Sequence, residues 1–188
     1  KTCRELLHCQ RVLRERLGTP TGTLESAEST ILPETPPDAD VGTWGIDLLM
    51  RRVFPHGPRP TREQETLASL LSLDLDWNKF WPSQTDVARH QSLNPAAIHG
   101  VLKSAIARWQ REPALTAFRH DLVDLVSGEG GVCVVDELPP AALAACGSGQ
   151  EEPLRSRQAL AVVRAAVEVE RAAAEPRLCV RRVHDKVF

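Results

Sequence analysis

Tyrosine is missing from this 188-residue chain, and its other aromatics, four tryptophans and four phenylalanines, make up only 4% of it. Alanine, valine and leucine instead dominate a 42% hydrophobic fraction, which suits helices packed through small and branched aliphatic side chains. A globular, mainly α fold is expected. Lysine is nearly absent too: Lys1, Lys79, Lys103 and Lys186 are the only ones, and the remaining basic residues are arginines, a bias of GC-rich bacterial coding sequence. The formal net charge of −2 excludes the strongly positive field that would by itself argue for nucleic acid. Any DNA contact must come from a local patch.

No CxxC pair occurs among the five cysteines at positions 3, 9, 133, 146 and 179, and their number is odd, so neither a disulfide framework nor a zinc knuckle is indicated. Cys3, His8 and Cys9 lack the second pair of ligands that zinc needs, and read as ordinary helix-face residues. No metal site is assigned. No signal peptide is expected, and there is no apolar run long enough to span a membrane, so a reduced cytoplasmic interior is the expected setting.

Along the chain, Leu6, Leu7, Val12, Leu13 and Leu17 form the stripe of a helix over Thr2–Leu17. Lys1 already stands inside it, so a fragment of a longer protein is expected. Residues 18–40 are rich in Thr, Ser, Pro and acids and read as a linker or extended loop. Residues 41–112 are expected to form a helical domain, with a helix over Val41–Val53, a Pro-rich break at 54–60, and a helix capped by Thr61 and Gln64 as a capping box. Trp77, Phe80 and Trp81 are expected to fill the gap before the next helices.

Residues 83–109 carry the one motif with a defined geometry, a helix-turn-helix. Val87, Leu93, Ile98 and Val101 supply its core, and Ala88 the close approach of the two helices. Ser83 caps the first helix, while Asn94 caps the second with Pro95 at its first position, where the missing N–H costs nothing. Two positions depart from the pattern: Gln91 stands where a leucine-like residue closes the core, and Ser92 where glycine makes the turn.

Residues 113–188 are expected to be a winged-helix-like domain, giving tandem units overall. An amphipathic helix over Leu115–Val126 ends at Gly128-Glu129-Gly130-Gly131, and Val132–Val135 reads as a brief strand. Asp136 is a candidate N-cap for a helix reaching Ala144 through Pro139-Pro140. A long helix over Leu154–Ala174 with a mixed Glu/Arg surface follows, and Leu178–Phe188 reads as a hairpin with its tip near His184-Asp185, its second strand cut short at Phe188.

Taken in order, Trp81-Pro82-Ser83-Gln84-Thr85-Asp86-Val87-Ala88, the Pro113-Ala114-Leu115 turn, Gly130-Gly131-Val132 leading to Val135-Asp136-Glu137-Leu138, and Arg157 through Glu170 followed by Arg181-Arg182 resemble one family. They resemble the region downstream of the kinase domain in bacterial phage-resistance serine/threonine kinases of the PglW type, found in phage growth limitation and BREX systems. The resemblance spans roughly residues 60–188. It implies a role in antiphage defence, with phosphorylation, and the ATP and magnesium it uses, belonging to a different part of the parent protein. The chain itself has no Gly-rich phosphate loop, no lysine strand motif and no Asp-Phe-Gly, and Arg119-His120-Asp121 is a chance near-match to a catalytic loop without its asparagine. No catalytic residue carries over, and this segment is assigned no cofactor.

Two functions stay open. In a DNA-binding module the second helix of the motif would lie in the major groove, presenting Asn94, Ala96, Ala97, His99, Gly100 and Lys103, with Arg89, Arg108 and Arg111 reaching phosphates. Arg181, Arg182 and Lys186 on the hairpin would extend that footprint. In a protein-interaction or scaffold module, the same units would dock another defence-system protein or the parent kinase domain, without nucleic acid and without a membrane. The paired carboxylates Asp74/Asp76 and Asp121/Asp124 sit where solvated helix edges or turns predict them, and do not indicate catalysis.

Overall fold

The computed structural model describes residues 45–54, 59–77, 79–184 and 186–188. The helix over Thr2–Leu17 with Cys3, His8 and Cys9, the linker, the start of the helix from Val41, most of the Pro-rich break and Asp185 lie outside the described residues. Among the described residues there are seven α-helices: α1 (Ile46–Val53), α2 (Arg62–Leu70), α3 (Gln84–His90), α4 (Pro95–Trp109), α5 (Pro113–Gly128), α6 (Leu138–Cys146) and α7 (Leu154–Arg171). A two-stranded antiparallel hairpin, β1 (Arg182–Val183) and β2 (Lys186–Val187), follows α7. The expected mainly α chain with a short C-terminal hairpin is what forms. No helix among the described residues is long and apolar enough to cross a membrane.

α7 is the axis of the bundle. Every residue from Ala159 to Glu170 is buried, and α1, α4, α5 and α6 all pack against this helix. Four of those twelve residues are alanines, which let backbones approach on several sides at once. α1 lays Ile46, Leu49, Met50 and Val53 on α7 at the i, i+3, i+4, i+7 spacing of one helix face. Its polar side is tied down as well: Asp47 accepts from the Ser148 hydroxyl at 2.5 Å and the Gly149 N–H at 2.8 Å. Trp109, fully buried at the end of α4, donates its indole N–H to the Val53 carbonyl at 2.8 Å and so joins α4 to the C-terminus of α1. Buried residues from Ile46 to Val187 belong to one hydrophobic cluster, so the segments on either side of residue 112 share a core.

Four sequence expectations change. Val132–Val135 makes no strand: Val132 is 68% exposed, and Val135–Glu137 closes a 3-10 turn against β2. Gly130 and Gly131, at φ 91° and 83°, turn the chain away before a ladder partner can be met. Asp136 caps nothing, because it sits within that turn and α6 starts at Leu138, with Pro139 and Pro140 in its first turn. Phe80 is 41% exposed, leaving Trp81 as the buried aromatic, while Trp77 stacks on His90 with ring centroids 4.2 Å apart. The Glu/Arg face of the last helix is not a solvated surface, since Arg164, Glu168 and Glu170 are all buried.

Glu170 shows how these charges are accommodated. Its carboxylate accepts from the Arg177 backbone N–H at 3.0 Å, from Arg177 Nε at 2.8 Å and from Nη2 at 2.9 Å, with Arg119 Nε of α5 3.1 Å away. The Arg177 side-chain hydrogen bonds outweigh burial and hold the Glu170 carboxyl down at about 2. The folded chain therefore gives up this proton more readily than the unfolded one, whose carboxyl has the ordinary value of 4.5. The contribution to stability is complete above that value and is lost as pH falls toward about 2. Glu170→Gln is expected to lower the Tm by roughly 5 °C at neutral pH. The gap between variant and parent should close as the pH is lowered through this window. A gap that stays constant in thermal scans across that range would contradict the role given to this carboxylate.

Candidate nucleic-acid interface

α3 and α4 are joined by the four residues 91–94, and the start of α3 is held from two directions. Ser83 and Asp86 form a capping box, with the Ser83 hydroxyl accepting from the Asp86 N–H at 3.1 Å and the Asp86 carboxylate accepting from the Ser83 N–H at 2.8 Å. Lys79 closes on the same carboxylate at 2.6 Å and, together with Ser83, keeps Asp86 well below the usual carboxylate range. Just before this cap, Arg164 of α7 donates to the Pro82 carbonyl at 2.5 Å, its guanidinium carbon 4.9 Å from the centre of the Trp81 ring. Arg182 of β1 donates to the Trp81 carbonyl at 2.6 Å. Burial pulls the Arg164 guanidinium down to about 10, which leaves it charged at neutral pH.

The turn departs from the apolar pattern in a way the sequence did not explain. Gln91 replaces a packing contact with a bridge to α2: its side-chain amide donates to Ser69 Oγ at 2.9 Å and to the Glu65 carbonyl at 3.2 Å, and its oxygen accepts from Thr66 Oγ1 at 2.8 Å. Ser92 takes the left-handed conformation expected of glycine, at φ 53°. The core positions behave as expected: Val87, Ala88 and Ile98 are buried, and Leu93 and Val101 are partly buried against them. Asn94 accepts from the Ala96 N–H at 2.9 Å, capping α4 with Pro95 at its start.

The outward residues of α4 form an open surface. Ala96, Ala97, His99, Gly100, Lys103 and Arg108 are exposed, as are Arg89 on α3 and Arg111 beyond α4. A Cβ added at Gly100 would meet nothing within 4 Å. From Val87 to Arg111 the chain contains no aspartate or glutamate, although the whole chain carries a net charge of −2. Arg89, Lys103 and Arg111 form no ion pair with another described residue. Two of the expected cations are partly occupied inside the fold: Arg108 donates to the Val53 carbonyl at 3.1 Å, and Arg182 to Trp81. Arg181 and Lys186 stay exposed on the hairpin.

Sequence reasoning missed Arg164 as the residue that sets the start of α3. The available signal was a lone arginine within the otherwise apolar run Ala161-Val162-Val163-Arg164-Ala165-Ala166-Val167, where a solvated face would alternate with an apolar one. The near-match Arg119-His120-Asp121 has a structural reading, since Arg119 faces Glu170. Asp121 is raised by burial and by Asp124. No group of three or more metal-ligating side chains occurs among the described residues.

The resemblance read from the order of motifs is found in comparison with known proteins. The chain is 39% identical over 93 residues to a protein described as probable kinase PglW from Streptomyces coelicolor (strain ATCC BAA-471 / A3(2) / M145). The match takes in 48% of this chain and 6% of that protein's length. No family model matches the chain. No solved structure matches it either.

The two departures at the turn should respond in opposite directions to the residues the pattern prefers. Gln91→Leu strands the buried Thr66 hydroxyl and is expected to cost about 1–2 kcal/mol. Ser92→Gly relieves the left-handed backbone and is expected to stabilise by about 0.5–1 kcal/mol, after the added freedom of the unfolded chain is offset. Urea unfolding of both variants checks the pair. A stabilising Gln91→Leu would show that the bridge to α2 does not carry the turn.

Proposed function

We propose that this chain is a non-catalytic helix-turn-helix regulatory region of a bacterial antiphage-defence serine/threonine kinase of the PglW type, and that it binds double-stranded DNA. The similarity to probable kinase PglW supports the association with a kinase. The DNA reading rests on the acid-free stretch from Val87 to Arg111, which sets Arg89, Lys103 and Arg111 on exposed positions of a net acidic chain. In this reading α4 enters the major groove. Its small outward residues Ala96, Ala97 and Gly100 permit close approach, while Asn94, His99 and Lys103 meet bases or phosphates. Arg108 contributes less, because one arm of its guanidinium is already bound to Val53. The hairpin acts as the wing of a winged-helix unit. ATP and magnesium would belong to the kinase domain elsewhere in the parent protein, which would act in the cytoplasm.

A second reading is a scaffold module that docks the kinase domain or another defence protein through the same fold. The exposed Phe80 and Val183, at 41% and 51%, favour it.

Fluorescence anisotropy of the purified chain on a labelled duplex, across a salt series, separates the two. Salt-sensitive binding is expected, and Lys103→Ala should weaken it roughly threefold to tenfold on all sequences and reduce the slope of log affinity against log salt by about 0.9. No binding at low salt would leave the scaffold reading standing.

A further inference from the structure

The pleat of the hairpin sorts its cations into two groups. Neighbouring side chains along a strand point to opposite faces, and directly paired residues share a face. Arg182 pairs with Val187 and Val183 with Lys186, while Arg181 and Phe188 exchange two backbone hydrogen bonds at 2.8 Å each. One face therefore carries Arg182 and Val187, and the other carries Arg181, Val183, Lys186 and Phe188. Val187 is only 6% exposed, so it lies against the body of the bundle; Arg182 beside it is exposed but donates from its guanidinium to the Trp81 carbonyl. Val183 is 51% exposed, Arg181 and Lys186 are exposed and Phe188 is partly buried, so the cationic part of the second face is turned to solvent.

Resting on the reading that this chain binds duplex DNA, we propose that the outer hairpin face, with Arg181 and Lys186 beside Val183, is a second phosphate-contacting surface. Arg182 lies outside it, engaged as a strut between hairpin and bundle. Among the described residues, neither Arg181 nor Lys186 forms an ion pair. The strut reaches the carbonyl two residues before the Ser83 cap, which sets the hairpin beside the start of α3. The first helix of such a unit crosses the DNA backbone, so a hairpin tied to its start is within reach of the same strands.

The test is the salt dependence of binding by the whole 188-residue chain to a labelled duplex. Arg181→Ala and Lys186→Ala are each expected to reduce the slope by about 0.9 and to weaken binding several-fold at fixed salt. Arg182→Gln, which keeps a donor but no charge, is expected to hold the parental slope. Parental binding with unchanged slopes in both Arg181→Ala and Lys186→Ala would overturn the outer-face assignment and leave the α4 reading intact. A reduced slope in Arg182→Gln, with an unchanged Tm, would overturn the division between the two faces. Absence of binding by the parent chain at low salt would sink this proposal together with the reading it rests on.

Discussion

Burying the Arg164 guanidinium within α7 imposes a demand that the surrounding architecture has to meet. A charge taken out of water must find hydrogen-bond acceptors and a polarisable surface, or the fold loses several kcal/mol, on the order of what holds a domain together. Here the Pro82 carbonyl accepts from Nη2 and the face of Trp81 lies against the guanidinium, while Nη1 is buried without a hydrogen-bond partner, so the demand is met in part. The segment Trp81-Pro82 must then cross α7 at this point, and Ser83, one residue on, starts α3 in a direction already set. α4 follows through a short turn. The position of the candidate DNA-reading helix is thus traceable, step by step, to one buried cation in a helix from the far end of the chain.

Arg182 and Glu170 extend the same logic. Arg182 takes the carbonyl next to the one Arg164 uses, so the hairpin and the central helix grip adjacent peptide units. Glu170 holds the chain leaving α7 through Arg177 and sets α5 through Arg119, which directs the polypeptide toward the hairpin. Such buried polar contacts contribute direction more than net stability, since each must first offset the loss of water. Apolar contacts along α7 supply the bulk of the burial and tolerate sliding. The arginines and Glu170 fix the register of what packs there.

Charge is segregated rather than abundant. The chain as a whole is slightly acidic, yet α3, the turn and α4 are free of carboxylates after Asp86, and Asp86 itself is neutralised by Lys79. A local field of this kind needs no excess of basic residues overall, only the exclusion of acids from one surface. The same surface is lined by small side chains, so a bulky partner can approach its backbone closely. A scaffold module would need apolar anchors instead, and two of the exposed ones, Phe80 and Val183, neighbour in sequence the Trp81 and Arg182 that meet each other.

Much of the helical framework was legible without coordinates, because its causes are local. The Thr61/Gln64 and Ser83 caps, Asn94-Pro95, the glycines after α5 and the apolar spacing of α1 and α4 act within a turn or two of helix. The failures share a different cause. Val132–Val135 has the composition of a strand but no neighbour to pair with, and Gln91 looked like a defect until Thr66 and Ser69 were seen beside it. The charges of α7 read as a solvated face because periodicity cannot tell a buried arginine with a partner 82 positions away from an exposed one without a partner. The sequence by itself determined that the chain is mainly helical and where several helices start, because caps such as Thr61, Ser83 and Asn94 act on the next turn alone. Only the tertiary structure decided which cations are bound within the fold and which remain free, since that depends on carbonyls and carboxylates supplied by distant segments of the chain.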